Sequence, residues 1–188
     1  MTAVTFGNLY HCTVEPGFYY IAPNAKIHPT VRLEPFCVID EDVEIGANSI
    51  VGPYVQMRNG TRIGAGCRIG GHSTFEGLCT VGNDVRMGTH CNVGWGCDIE
   101  DLVFIGGHFT GGNDKKMMWK RGEAQIQGYR IERAARIGLH CTIGPGVLIG
   151  ENALVGMHSV VTRSIPPGEI WYGVPARKHG EIKKEEWL

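Results

Sequence analysis

The sequence predicts an all-β fold in which short strands wind into a triangular prism, and three observations support this. Every sixth residue from Ile27 to Ile105 is apolar. The next residue is often glycine, and the fifth residue of each hexad is small or branched, as Val31 and Cys37 are. In a chain that is 43% hydrophobic, fourteen apolar positions in succession would arise by chance roughly once in a hundred thousand trials.

Each hexad suits one short strand followed by one turn. Three hexads then close a coil of eighteen residues, and successive coils stack through backbone pairing at about 4.8 Å. The large aliphatic residue and the small fifth residue fill the interior of the coil. The period does not fix the handedness, although general rules for parallel crossovers favour a right-handed path.

The period also divides the chain into three parts. Residues 1–20 carry aromatic side chains without a repeat and are expected to form an N-terminal cap. Residues 21–165 hold about seven coils, with a loop projecting at about 112–128. Residues 166–188 are expected to form a C-terminal tail with a short helix, because the ends of a solenoid need capping.

Length and composition exclude several classes of protein. With 188 residues and a formal charge of −1, the chain fits one domain with no general attraction to nucleic acid or acidic membranes. The sequence contains no run of eighteen apolar residues, so it predicts no membrane-spanning helix. The first residues lack a basic start followed by an apolar block, so a cytoplasmic protein is expected.

The seven cysteines are explained by the repeat rather than by disulfides or metal binding. None forms a CxxC motif, and six of them occupy the small interior position, where buried cysteine acts as an apolar filler. Cys12 precedes the repeat and has no assigned role. The six are Cys37, Cys67, Cys79, Cys91, Cys97 and Cys141.

The repeat is interrupted between Ile105 and Ile131, which are 26 residues apart, and then continues to Val161. Five histidines share the fourth, turn position of their hexads: His72, His90, His108, His140 and His158. They would lie along one edge of the prism if fourteen residues left the wall; excursions of eight or twenty would move the later pair elsewhere. Such a column either packs at the edge, lines a cleft or shares a zinc ion.

The repeat resembles the hexapeptide-repeat family over residues 21–177, and this resemblance implies a left-handed parallel β-helix. The tail VVTRSIPP…GVPAR is similar to the last coils of the family's CoA-dependent acetyltransferases. The resemblance implies acetyl-CoA as acyl donor, no metal, and a homotrimer with active sites between subunits. It also implies donor contacts from the backbone of Gly138, Gly156 and Met157, from Thr162, and from Arg177 at the phosphates; Arg163 and Lys178 are further candidates on charge.

The bases used by related enzymes are absent. The loop histidine of galactoside-type O-acetyltransferases corresponds to Gly112 or Asn113, and the histidine of acyl-carrier-dependent lipid A enzymes corresponds to Trp95 or Gly96. An imidazole titrating near neutral pH suits a general base. His108, followed by His90, is therefore the best remaining candidate.

The segment IEDLVFIGGHFTGGND resembles the LEDDVFIGPNVTFTND segment of nucleotide-linked 3-amino-sugar N-acetyltransferases. This resemblance implies that Asn113 and Asp114 bind the sugar, and it favours N-acetylation of a nucleotide-linked amino sugar. Sugar O-acetylation is the close alternative. A non-catalytic β-helical scaffold or binding subunit and a metal-dependent hydratase are alternatives from other classes.

Overall fold

The computed structural model describes residues 3–6, 10–13, 19–117 and 125–188. Two-residue strands recur every six residues and form three parallel sheets, which are the three faces of a left-handed parallel β-helix. Face 1 contains β3 (Tyr20–Ile21), β6 (Val38–Ile39), β9 (Gln56–Met57), β12 (Thr74–Phe75), β15 (Asn92–Val93), β18 (Thr110–Gly111), β21 (Thr142–Ile143) and β24 (Val160–Val161).

The other two faces follow face 1 in each coil. Face 2 contains β4 (Lys26–Ile27), β7 (Glu44–Ile45), β10 (Arg62–Ile63), β13 (Thr80–Val81), β16 (Asp98–Ile99), β19 (Arg130–Ile131) and β22 (Leu148–Ile149). Face 3 contains β5 (Arg32–Leu33), β8 (Ile50–Val51), β11 (Arg68–Ile69), β14 (Arg86–Met87), β17 (Phe104–Ile105), β20 (Arg136–Ile137) and β23 (Leu154–Val155).

The two ends differ from the coils. An antiparallel hairpin of β1 (Ala3–Phe6) and β2 (Tyr10–Thr13) precedes the first coil. At the other end, β25 (Glu169–Gly173) pairs in parallel with β23 and antiparallel with β26 (Ala176–Glu181). A 3-10 helix follows at Lys184–Glu186. No helix among the residues described has the length and hydrophobicity needed to span a lipid bilayer.

The prism has eight coils where the sequence predicts about seven. Seven are regular, and the eighth is built from β24, a bridge between Ile149 and Ile165, and β25. The first and fifth residues of the hexads face the interior and are buried, including all six cysteines of the repeat, which are free thiols. The predicted all-β left-handed helix is confirmed.

The turn residue at the fourth position has a left-handed backbone conformation in coil after coil. Its φ is 60° at His72, 58° at His90 and 60° at His108. This conformation is uncommon for residues other than glycine, although Asn, Asp and His adopt it more readily than most. The position therefore favours the His, Asn, Asp and Gly residues found in many of the coils, although Phe36, Tyr54 and Leu78 adopt the same conformation.

The interrupted coil keeps its register. Asp98 pairs with Arg130 across the interruption, 32 residues apart instead of the eighteen that separate Arg62 from Thr80. Fourteen residues therefore leave the wall, as the histidine column requires. The loop leaves face 1 after β18 and returns at β19 of face 2, so it projects from the edge between faces 1 and 2.

The side chain of Tyr129 fills a gap in the interior of the interrupted coil. Gly111 occupies a first position where other hexads carry a large aliphatic residue, and a Cβ there would lie 2.0 Å from Cε1 of Tyr129. The ring of Tyr129 is fully buried, packs edge-on against Phe109, and fills this space. Its hydroxyl has no hydrogen-bond partner among the residues described, and burial raises its pKa well above the usual value.

Substituting Gly111 and Tyr129, singly and together, tests this packing. Gly111→Ile and Tyr129→Ala should each destabilise the protein, the first by overpacking and the second by a cavity costing about 3–5 kcal/mol. The double variant should be more stable than either single variant, because it restores the repeat. Urea unfolding measures this, with Tyr129→Phe as a control that should cost little. Additive losses in the double variant would contradict the account.

Candidate active site

The edge between faces 3 and 1 carries a continuous stack of seven rings, which we call the ring ladder. Neighbouring ring centroids are 4.5–4.9 Å apart, and the imidazole planes differ by only 3–6°. The predicted five-histidine column is thereby confirmed, and the structure adds two aromatic residues below it. The ladder consists of Phe36, Tyr54, His72, His90, His108, His140 and His158.

The ladder favours the neutral form of His140. The pKa of His140 is lowered from its ordinary value of 6.5 by partial desolvation, and then by repulsion from His108 and His158. The ladder histidines are nevertheless exposed, so their ring nitrogens can reach a ligand or a partner. Among the residues that the structure describes, no three His, Cys, Asp or Glu side chains are arranged to hold a metal ion.

The loop begins at a pocket of about 530 Å³ on the opposite edge of face 1, which we call the loop-root pocket. Asn113 and Asp114 line it on the loop side, and Thr162 lines it from the last coil. One carboxylate oxygen of Asp114 accepts the backbone N–H groups of Lys116 and Met117 at 2.9 and 3.0 Å. This oxygen of Asp114 therefore stabilises the backbone at the start of the loop.

Sequence reasoning missed Glu76, which also lies at the loop root. Its carboxylate accepts hydrogen bonds from Nδ2 of Asn92 at 3.3 Å and from Nδ2 of Asn113 at 3.5 Å. In the next two coils the same hexad position on face 1 holds Gly94 and Gly112, so no side chain follows the carboxylate in this column. A glutamate beneath two glycines of one column was the available sequence signal.

A second groove, of about 660 Å³, runs along face 3, and we call it the face-3 groove. It is lined by Gly138, Gly156 and Met157 together with exposed apolar residues such as Phe104. The N–H groups of Gly138 and Gly156 donate to carbonyl oxygens of the next coil at 2.8 Å. These amides are therefore already used in the wall, and Met157, 65% exposed, is the more accessible of the three predicted residues.

The basic residues of the tail differ in their charge environment. Lys178 forms ion pairs with Glu169 at 2.7 Å and Glu181 at 2.5 Å, and these raise the pKa of its ammonium group. Arg177 donates to the carbonyl oxygen of Ala176 and pairs with no carboxylate of the described residues. Arg163 is exposed beside Thr162. Among the residues described, the charges of Arg177 and Arg163 are thus not balanced by a carboxylate, whereas the positive charge of Lys178 is balanced by Glu169 and Glu181.

The predicted residues do not form one cluster within a single chain. His108 and His90 lie on the edge between faces 3 and 1, whereas Asn113 and Asp114 lie on the edge between faces 1 and 2. Strand β18 separates the two sets. Of the predicted donor residues, Thr162 lies in the loop-root pocket, while Gly138, Gly156 and Met157 lie in the face-3 groove.

Two family models match the uninterrupted stretches on either side of the loop. "Bacterial transferase hexapeptide (six repeats)" matches residues 42–77, and "Hexapeptide repeat of succinyl-transferase" matches residues 129–163. Among solved structures, a galactoside acetyltransferase in complex with coenzyme A aligns over 57% of both chains, with 26% identity and a TM-score of 0.52.

Two curated relatives share segments of sequence with the chain. Galactoside O-acetyltransferase of Escherichia coli (strain K12) is 40% identical over 67 residues, which are 36% of this chain and 33% of that protein. The dTDP-3-amino-3,6-dideoxy-alpha-D-galactopyranose 3-N-acetyltransferase of Aneurinibacillus thermoaerophilus is 46% identical over 52 residues, 28% of this chain and 27% of that protein. The chain thus spans a third or less of the length of these relatives.

Removing one ring should change the titration of its neighbour. In His158→Ala the pKa of His140 should rise towards 6.5, because one repelling and desolvating neighbour is lost. Because the folded pKa lies below the unfolded one, the contribution of His140 to stability should be lost as the pH falls below about 6.5. Two-dimensional NMR of the imidazole nitrogens measures the pKa of His140 in the wild-type protein and in His158→Ala. His28→Ala is the control outside the ladder. An unchanged His140 titration would refute the coupling.

Proposed function

This chain is a hexapeptide-repeat protein, and we propose that it is an acetyl-CoA-dependent acetyltransferase that N-acetylates an amino sugar carried on a nucleotide. The loop-root pocket is the observation that carries the proposal. It combines Asn113 and Asp114 of the segment that resembles amino-sugar enzymes with Thr162 of the donor-binding tail motif. Similarity to a dTDP-amino-sugar 3-N-acetyltransferase supports the same acceptor.

The composition of the pocket favours an amine over a hydroxyl group. No histidine is among the described residues that line it. A sugar hydroxyl needs a general base to remove its proton during attack, whereas the neutral fraction of an amine is already nucleophilic. N-acetylation is therefore the less demanding reaction for this set of side chains.

Acetyl-CoA suits the face-3 groove as acyl donor. Apolar side chains and the bare backbone of Gly138 and Gly156 offer an elongated surface for a pantetheine arm, and Arg177 retains free charge for the phosphates. A coenzyme A complex of a protein with the same fold supports this donor. The donor brings a thioester, and a bound neutral amine attacks its carbonyl carbon. The C–S bond breaks as the amide forms, and coenzyme A leaves as a thiolate that takes up the proton released by the amine.

A homotrimer would unite the separated residues. The ring ladder and the loop root lie at opposite edges of face 1, so a chain that lays its ladder edge against the loop root of a neighbour forms one cleft from two copies. Closed symmetry repeats this contact three times. His108 of the neighbouring chain, with His90 one coil below it, then lies at the rim of this cleft. It accepts the proton that the amine loses on attack, before that proton reaches the thiolate, a step less demanding than deprotonating a hydroxyl group.

Sugar O-acetylation is the second candidate, because the E. coli relative acetylates a galactoside. Thiol release from acetyl-CoA should be followed with nucleotide-linked amino sugars, their hydroxyl counterparts and simple galactosides. Acetylation of amino sugars at least tenfold faster than of the others supports the proposal. Preference for galactosides would establish the alternative, and no release with any acceptor would refute both.

Arg177→Ala should weaken coenzyme A binding by about tenfold or more, the size of a charge-assisted hydrogen bond to phosphate. Isothermal titration calorimetry measures it. The control is Arg62→Ala, which removes an exposed arginine from face 2, far from the tail. Equal affinities in all three proteins would remove Arg177 from the donor site.

His108→Ala should slow acetyl transfer at least tenfold if the imidazole acts as base. The matched control is His72→Ala, which removes a ring from the same ladder two coils below. Steady-state rates at saturating donor distinguish the two. A normal rate in His108→Ala would leave the ladder with a packing role alone.

A further inference from the structure

Glu76 presents a partly buried carboxylate at the loop root, and no cationic side chain of the described residues forms an ion pair with it. Arg58, one coil below in the same column, does not reach it. Its two amide contacts, at 3.3 and 3.5 Å, are long hydrogen bonds. A carboxylate in this state gains most from a ligand that brings positive charge.

The amides that hold Glu76 fix its position on face 1. Glu76 follows β12, Asn92 belongs to β15 one coil above, and Asn113 follows β18 two coils above. The two hydrogen bonds therefore link the carboxylate to both of the next coils. Asn113 also lines the loop-root pocket. The carboxylate and the pocket are therefore connected through one side chain.

Trp95 packs against Gly77, the residue that follows Glu76. A Cβ on Gly77, the residue after Glu76, would lie 3.4 Å from Cδ1 of Trp95, so the indole packs over the turn that carries the carboxylate. The indole is 40% exposed. Aromatic rings attract cations through their faces, and Trp does so most strongly. A carboxylate, two side-chain amides and an indole together match the chemistry of an ammonium group on a sugar.

We propose that Glu76, Asn92, Asn113 and Trp95 form a subsite that binds the protonated amino group of the acceptor sugar. This inference rests on the proposed N-acetyltransferase function and names the part of the acceptor that the chain selects. The carboxylate of Glu76 accepts ammonium N–H groups, the amide oxygens of Asn92 and Asn113 accept others, and Trp95 covers the cation. One N–H proton then passes to the carboxylate of Glu76 or to water, which frees the lone pair of the amine for attack on the thioester. A hydroxyl in the same place brings no positive charge and can donate only one hydrogen bond.

Calorimetry with two nucleotide sugars that differ in one group tests the subsite. The probes are dTDP-3-amino-3,6-dideoxygalactose and dTDP-6-deoxygalactose, which carries a hydroxyl in place of the amine. The wild-type protein should bind the amino sugar at least tenfold more tightly. Glu76→Gln should weaken amino-sugar binding about tenfold or more and change hydroxyl-sugar binding less than twofold.

The matched control is Asp40→Asn, which removes one negative charge from the same hexad position of face 1 two coils below. It should leave both affinities unchanged. Trp95→Leu keeps the carboxylate and should weaken amino-sugar binding while retaining part of the preference, which provides a second test if Glu76→Gln fails to fold. Glu76→Asp keeps the charge and should retain a preference for the amine.

The outcomes separate this inference from the proposed function. If the wild-type protein acetylates amino sugars but Glu76→Gln and Trp95→Leu keep the full preference for the amine, the subsite is wrong and the function stands. An equal loss of affinity for both sugars in Glu76→Gln would also overturn the subsite, because it would show only that Asn113 had been displaced. If no amino sugar is acetylated by the wild-type protein, the function itself fails.

Discussion

Backbone hydrogen bonding between coils of fixed length determines the rest of this structure. The N–H of Gly64 donates to the carbonyl oxygen of Val81 at 2.8 Å, and equivalent bonds recur from coil to coil. Each residue therefore lies directly beneath the residue eighteen positions later. A side chain repeated at that interval becomes a continuous column, which is why five histidines form a stack and why the small interior position accepts cysteine.

The projecting loop gives this regular wall a chemically distinct edge. Fourteen residues leave and return without disturbing the pairing of Asp98 with Arg130, because Tyr129 fills the interior space left by Gly111. The loop places Asn113 against a pocket on face 1 and within reach of Glu76 two coils below. The proposed acceptor site thus lies where the repeat is broken, while the unbroken coils supply fixed positions for the surrounding side chains.

The sequence predicted what depends on the repeat. The strands, the buried cysteines and the stacking of His72, His90 and His108 follow from counting, since neighbours in the wall are neighbours in the pattern. The alignment of His108 with His140 needed the structure, because the count alone allowed loops of eight, fourteen or twenty residues. Contacts of long side chains do not follow from it. The repeat places Gly112 two coils above Glu76, but it does not show that the side chain of Asn113, the next residue, turns back to the carboxylate. Lys178 is paired with two glutamates of the tail, where no repeat exists.

Deletion across the loop tests most directly whether coil register governs the fold. Removing residues 113–126 takes out fourteen residues and brings the hexads into an unbroken sequence, whereas removing 113–125 leaves every later coil one residue out of phase. The account predicts that the first variant keeps a β-rich circular dichroism spectrum and a cooperative thermal transition near that of the full chain. The second should melt at a markedly lower temperature or fail to fold. Equal melting temperatures for the two deletions would contradict the account.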